Sequence, residues 1–329
     1  MSETILLTIS ACNERDLHQT IKSALISADV PENLYFDIIT HDFYPIDHDL
    51  DNLTLNINHI KLSYGGPLGV GKARMYSQLI GDRKQNYHLQ VDAHMIFEKH
   101  WDTDIVNNYK NILKVNNIDK AIISAYVPYW YGDAEDKPRL HNGDFIDPYN
   151  YIKTDTIYNG KIEFKPYDPN HFVKSVSAGP VSVDWSKHPN GFIEQYTIVG
   201  HYVFGPISML EDVLPDPMLV FEGEELSYAI RLWTRGYRIF SIKDTLLLHK
   251  NKLGRDPDKK DWRTSTNVPD KSKNEQLWGN YHASLVRAKK IATGEILGYW
   301  GSPTKELLDD YQTKAGIDFK AYYFEIKGL

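Results

Sequence analysis

Between residues 5 and 127 the chain repeats one pattern, a short apolar run followed by a segment with helical spacing. The first run, ILLTISA from residue 5, reads as a strand. Residues 14–28 then place Leu17, Ile21, Ala24, Leu25 and Ala28 on one helical face, with Asn13 positioned to cap them. Further strand-like runs cover residues 35–42, 57–63, 87–91 and 121–127, and helical stretches cover 72–80 and 101–115. This alternation predicts an α/β fold, a mostly parallel central sheet with helices on both faces. Such sheets bind ligands beyond the carboxyl ends of their strands. Residues 10–13, His41 with Asp42, and residues 92–94 all stand at such ends, so one edge of the sheet is expected to gather them.

The pattern weakens from Pro128 to about Pro217, where YVPYWYGDAEDKP, FIDPYNYIKTD and KPYDPNHF are rich in aromatics, Pro and Asn. This segment is too aromatic for a solvated linker and reads as a loop-rich insertion. Regular structure returns as a helix over 223–234 and a strand over 237–242. The run LLL at 246–248 ends in His249, and a charged loop, HKNKLGRDPDKKDWR, follows. Helical stretches at 275–293 and 304–315 form a C-terminal extension. No composition break marks a boundary, so one domain is expected.

Composition removes several functional classes. The net charge is −7, so no overall basic field draws the chain to nucleic acid or membranes. The single Cys12 rules out an intrachain disulfide and fits a reducing compartment. The opening residues have no basic leader region, and no apolar window reaches about 18 residues, so neither a signal peptide nor a membrane span is expected. The 22 Tyr and 7 Trp suit a surface that stacks on sugars or bases, with ordinary loop and core-edge use as the alternative.

Two motifs carry chemistry. Asp92 and His94, at a strand tip, offer an oxygen and a nitrogen to a divalent ion such as Mn²⁺. If extended geometry persisted, both would point to one face. His249, ending a second apolar run, is the candidate third ligand. Taken singly, each histidine is more often structural, and their joint placement at strand ends favours ligation. In the second motif, Glu222, Glu224 and Glu225 cluster where a helix begins. That position suits the helix dipole, and a Gly-Glu turn there can also aim a carboxylate into a site. The glycine-rich stretch at 65–71 is not a P-loop, because Gly71-Lys72 is followed by Ala73. It reads instead as an approach to a helix whose N-terminus, with Lys72 and Arg74, faces an anionic ligand.

The opening TISACNERD, the helix GVGKARMYSQLI, QVDAHMIFEKHWD, FEGEELSYAIRLWTRGY, LLLHK and the closing RAKKIATG and GSPTKELLDDYQTKAGIDF together resemble metal-dependent GT-A glycosyltransferases. The nearest resemblance is to the cytoplasmic Skp1-hydroxyproline GlcNAc-transferase-like family, with a more distant likeness to polypeptide GalNAc-transferases. The resemblance implies a GT-A, Rossmann-like fold in one domain spanning 1–329. Its nucleotide-sugar-binding half is 1–127, its acceptor and catalytic half 128–250, and its donor-covering loop and C-terminal helices 251–329. It further implies that Asp92, His94 and His249 hold Mn²⁺ or Mg²⁺ on the diphosphate of a UDP-sugar, with UDP-GlcNAc the leading donor. Arg74, Lys250 and Arg255 would add cationic contacts. Ser10, Glu14 and Asp42 would lie near the base and ribose. Glu224, with Glu225 beside it, would bind sugar hydroxyls or orient the acceptor. Transfer would retain anomeric configuration by front-face attack, in the cytoplasm, onto a hydroxyl of a macromolecule, a protein first.

Two alternatives stand beside this reading. The same chemistry could act on a hydroxylated DNA base or on a glycan; the loop after His249, where Lys and Arg outnumber Asp, could meet DNA phosphates, with a solvated loop closing over the donor as the equal alternative. A non-catalytic nucleotide-sugar or carbohydrate-binding module is the other, disfavoured by the presence of Asp92, His94, Glu224 and His249 together. A dinucleotide-dependent oxidoreductase is excluded because SACNERD after the first strand lacks the required glycines.

Overall fold

The computed structural model describes residues 3–42, 46, 48, 50, 53–54, 56–62, 68–130, 157–164, 176–244, 246–250 and 271–324. Its strands in chain order are β1 (Ile5–Ala11), β2 (Leu34–Thr40), β3 (Ile57–Lys61), β4 (Tyr87–Asp92), β5 (Met95–Phe97), β6 (Ala121–Ile123), β7 (Tyr129–Trp130), β8 (Ile157–Phe164), β9 (Val176–Ser182), β10 (Phe192–Gln195), β11 (Tyr202–Pro206), β12 (Arg238–Ile242) and β13 (Leu247–Lys250). The helices are α1 (Leu17–Ser27), α2 (Val70–Ser77), α3 (Trp101–Asn116), α4 (Met209–Asp212), α5 (Glu224–Trp233), α6 (Lys271–Thr293), α7 (Lys305–Ala315) and α8 (Phe319–Phe324).

Eight strands form one sheet in the order β10-β12-β6-β11-β4-β1-β2-β3. The pairs β1–β2, β1–β4, β2–β3 and β6–β12 are parallel, whereas β11 runs antiparallel to both its neighbours, β4 and β6. The central sheet is therefore mostly parallel, as the strand–helix alternation predicts. Alternate side chains of β1 show why both faces need cover. Ile5, Leu7 and Ile9 pack with Leu17 and Ile21 of α1 and with Trp101 and Ile105 of α3. Leu6 faces the other way, into a cluster with Tyr228, Ala229 and Leu232 of α5. The outer side of α5 is covered in turn. Leu226 and Ile230 pack against Ala292 of α6, Leu308 and Tyr311 of α7, and Phe319. A smaller sheet, β5-β13-β7, docks beside the main one. Among the described residues no helix is long and apolar enough to cross a membrane.

Several local expectations need correction. Helix α1 starts at Leu17 with Asp16 at its cap position. Asn13 is not the cap, because its backbone takes φ 51° and its N–H donates to Asp42 Oδ1 at 2.6 Å. The segment 128–217 is only partly loop, since β8, β9, β10 and β11 lie within it. Strand β11 was unreadable because both its faces are buried, which erases the polar–apolar alternation that marks a half-exposed strand. Residues 92–94 do not continue extended. Strand β4 ends at Asp92, and a turn at Ala93 and His94 leads into β5. Residues 65–67, and 131–156 and 165–175 of the aromatic insertion, lie outside the described residues.

Candidate functional site

The carboxyl ends of β1, β2 and β4 meet at one edge, as expected. Ser10, Cys12, His41, Arg74, Asp92 and His94 line a common cleft there. Ser10 stands opposite Asp92 in the β1–β4 register. The turn after Asp92 is anchored from α1, whose Thr20 and Ser23 hydroxyls accept the N–H groups of Met95 and Phe97 at 2.9 Å. Strand β13 pairs antiparallel with β5, with His249 opposite Met95, and the Lys250 N–H donates to the His94 carbonyl at 3.1 Å. This pairing delivers His249 to the tip that carries Asp92 and His94.

The three side chains converge. His94 Nε2 and His249 Nε2 are 3.0 Å apart, His249 Nε2 lies 3.4 Å from Asp92 Oδ2, and His94 Nε2 lies 3.8 Å from the same oxygen. All three ligand atoms fall within 4.8 Å of one another. Two nitrogens bound at right angles to a cation with bonds of about 2.1 Å would themselves be about 3.0 Å apart. The donor set therefore fits one divalent ion without rearrangement, although tight turn geometry, not the extended backbone first considered, brings Asp92 and His94 together. Behind His94, Glu14 Oε2 lies 3.1 Å from Nδ1. A carboxylate there fixes the proton on Nδ1 and leaves Nε2 as the ligating atom. Burial raises the Asp92 carboxyl, but the His249 hydrogen bond and the charges of Arg74, His94 and His249 outweigh it and hold Asp92 well below the usual carboxylate range.

Arg74 joins this cluster to the start of α5. Its Nη1 donates to Glu224 Oε2 at 2.7 Å and its Nη2 to Asp92 Oδ1 at 3.2 Å. Burial disfavours its charge, but Glu224, Asp92 and Glu225 more than offset this and raise its pKa. Gly200 makes room for the guanidinium, since a Cβ there would lie 2.2 Å from Nη1. Glu224 is only 1% exposed, and its Oε1 is buried without a hydrogen-bond partner among the described residues. Glu225 Oε1 accepts the Gly200 N–H at 2.6 Å, and burial lifts its carboxyl to about 7.

The other sequence candidates are placed as follows. Asp42 uses one oxygen for the Asn13 N–H and the other for His48 Nε2 at 2.8 Å, so it shapes the β1–α1 loop at the cleft. His41 beside it is driven down to about 4 by burial, against the pull of Asp42, and stays neutral at ordinary pH. Lys250 is buried, with Nζ 2.7 Å from Asp16 Oδ2. Arg255 lies outside the described residues. The N-terminus of α2 does not hold its leading donors open for an anion, because Val70 N–H bonds Val220 O at 2.6 Å and Gly71 N–H bonds Leu219 O at 3.0 Å. Sequence reasoning missed Gly200 and His201. His201 packs its ring 4.5 Å from that of His249, tilted by 36°, and no motif marks it.

A comparison with solved structures finds GalNAc-T7, crystallised with UDP, GalNAc and Mn²⁺, at TM-score 0.53 and 14% identity, covering 98% of this chain and 56% of that one. This chain thus spans little more than half the length of that protein. TarS of S. aureus matches at TM-score 0.44 and 13% identity, over 88% of this chain and 44% of TarS. No curated protein matches the chain. The likeness to GalNAc-T7 is one of fold, the GT-A arrangement of a mostly parallel sheet flanked by helices. The family profile described as Glycosyltransferase (GlcNAc) matches residues 45–296, a span that takes in Asp92, His94, Glu224 and His249, and the chain belongs to that family.

Proposed function

We propose that this protein transfers a sugar, GlcNAc first, from a UDP-sugar to a hydroxyl of a protein acceptor, with retention of anomeric configuration and with Mn²⁺ or Mg²⁺ at Asp92, His94 and His249. The observation that carries the reading is the convergence of those three ligand atoms within 4.8 Å, at the sheet edge where α/β folds bind ligands. Membership of the Glycosyltransferase (GlcNAc) family supports GlcNAc as the sugar. The GalNAc-T7 structure, which shares the fold, holds UDP and Mn²⁺ and supports the donor class and the metal.

A bound divalent cation supplies neutralising charge to the diphosphate leaving group, the main electrostatic demand of glycosyl transfer. The chain's own residues prepare the rest. Glu14 fixes the His94 tautomer. Arg74, held between Asp92 and Glu224, keeps a guanidinium at the cleft for the anionic donor. Ser10 and Asp42 stand at the strand ends where the nucleoside is expected, and Lys250 is the last residue of β13. Glu224 is half engaged by Arg74, and its buried second oxygen would bind a sugar hydroxyl once donor binding uncovers it.

The test is a panel of nucleotide sugars with Mn²⁺, read by release of free nucleotide. UDP-GlcNAc is expected to turn over slowly to UDP without an acceptor, faster with a hydroxylated protein acceptor, and not at all in Asp92→Ala. Normal Mn²⁺ binding with no release from any sugar would assign the fold to a non-catalytic binding module instead.

A further inference from the structure

The turn from Val199 to Tyr202 is fastened by a set of hydrogen bonds. Val199 N–H donates to Ser124 Oγ at 2.8 Å, and Gly200 N–H donates to Glu225 Oε1 at 2.6 Å. Gly200 O accepts from Gln90 Nε2 at 2.7 Å, and Tyr202 N–H closes on Val199 O at 3.0 Å. Strand β11 begins immediately afterwards, with Tyr202 paired to Val91, one residue before Asp92. So rigid a turn beside a ligand-bearing tip fixes whatever side chain it presents, and it presents His201.

His201 is 8% exposed, and its Nε2 is buried without a hydrogen-bond partner among the described residues. The ring itself is well engaged. Its centroid lies 4.5 Å from that of His249 at an interplanar angle of 36°, and 5.7 Å from that of Tyr126 at 60°. His249 is thereby contacted by two imidazoles, since His94 also meets it, edge-on, at 4.7 Å and 66°. The compact ligand group consists of Asp92, His94 and His249 and does not include His201.

We propose that His201 is a positioning residue of the metal centre, whose ring packs on the His249 imidazole and holds Nε2 of His249 toward Asp92 and His94. The inference rests on the metal site proposed above and adds a part that the three-residue motif does not contain. His249 projects from a four-residue strand, and the tilted His201 ring, 4.5 Å away, packs on its imidazole and restrains its rotation before the ion arrives. Residues that orient a ligand in this way typically account for about 10- to 100-fold in metal affinity.

The experiment is a Mn²⁺ titration of the full chain without donor, read by the electron paramagnetic resonance signal of the free ion. Wild type is compared with His201→Ala, His201→Phe and Asp92→Ala. Removing the ring in His201→Ala is expected to weaken binding about 10-fold or more. His201→Phe keeps a flat ring and no nitrogen, and is expected to bind close to the wild-type value. Unchanged affinity in His201→Ala overturns the proposal. Equal weakness in both His201 variants also overturns it, because the nitrogen and not the ring would then matter. If His201→Ala does not fold, His201→Phe decides alone, with near-wild-type binding upholding the proposal and weak binding overturning it. Wild-type affinity in Asp92→Ala would sink the metal-site reading itself, an outcome separate from the failure of His201 alone.

Discussion

Glu225 is the carboxylate whose charge the fold resists most clearly. Burial, with the nearby charge of Glu224, raises it to about 7 from an ordinary 4.5, although the Gly200 N–H opposes the rise. In this window the folded chain binds a proton that the unfolded chain has released. The stability contributed by the protonated group is complete below pH 4.5 and is lost as pH rises through 7. Glu225→Gln, which keeps an acceptor for Gly200, is expected to flatten that decline in the metal-free protein. Urea unfolding at several pH values checks it, and parallel profiles for variant and wild type would refute it. At this scale the ligand candidates were legible, because Asp92, His94 and His249 each end an apolar run. What spacing could not express was adjacency. Arg74 reaches Glu224 across 150 positions, Glu14 stands behind His94 across 80, and Gly200 matters only because a guanidinium passes its Cα.

Among the elements, α2 shows what the glycine-rich approach accomplishes. A Cβ on Gly71 would lie 2.1 Å from the Asp216 carbonyl oxygen and 2.7 Å from that of Leu219. Both are backbone atoms of the stretch leading into α5, so no side chain can swing aside. Gly71→Ala is expected to destabilise the protein by about 1–3 kcal/mol, as overpacking of a close-packed contact does. It should also lower turnover, because displacing α2 from this stretch pulls Arg74 away from Glu224. Chemical denaturation and steady-state assays check the two effects, and an unaltered midpoint would refute the close-approach argument. The parallel half of the sheet was readable from its alternation with α1, α2 and α3. The short β5 and the inverted β11 were not. One is three residues long, and the other is buried on both faces, so neither carries a period.

For the whole molecule, the C-terminal helices are part of the site's foundation and not an appendage. The Ser284 hydroxyl accepts the Val220 N–H at 3.0 Å, and Arg287 pairs with the fully buried Asp216 at 2.7 Å. Ala288 lies where Gly223 turns into α5, so near that a Cβ on the glycine would sit 2.4 Å away. A chain ended at residue 270 would strip these contacts, expose Leu226 and Ile230 and leave Asp216 without Arg287. The loss of several kcal/mol exceeds what a marginally stable fold tolerates. Such a chain is expected to lose near-ultraviolet circular dichroism and Mn²⁺ binding together, and native spectra with retained binding would contradict this.

The inverted strand β11 has a consequence for the order of assembly. It is the one strand that joins the β4–β1–β2–β3 side of the main sheet to the β6–β12–β10 side. Gln90 meets Gly200 across 110 positions, and His94 meets His249 across 155. Contacts so remote in sequence are closed slowly, because loop-closure entropy must be overcome before they contribute. On the ribosome, Asp92 and His94 emerge long before His249 exists, and the wedge that unites the two sides emerges between them. The proposed metal triad is therefore completed near the end of folding, and Mn²⁺ uptake during refolding would serve as a clock for the moment at which the two sides lock.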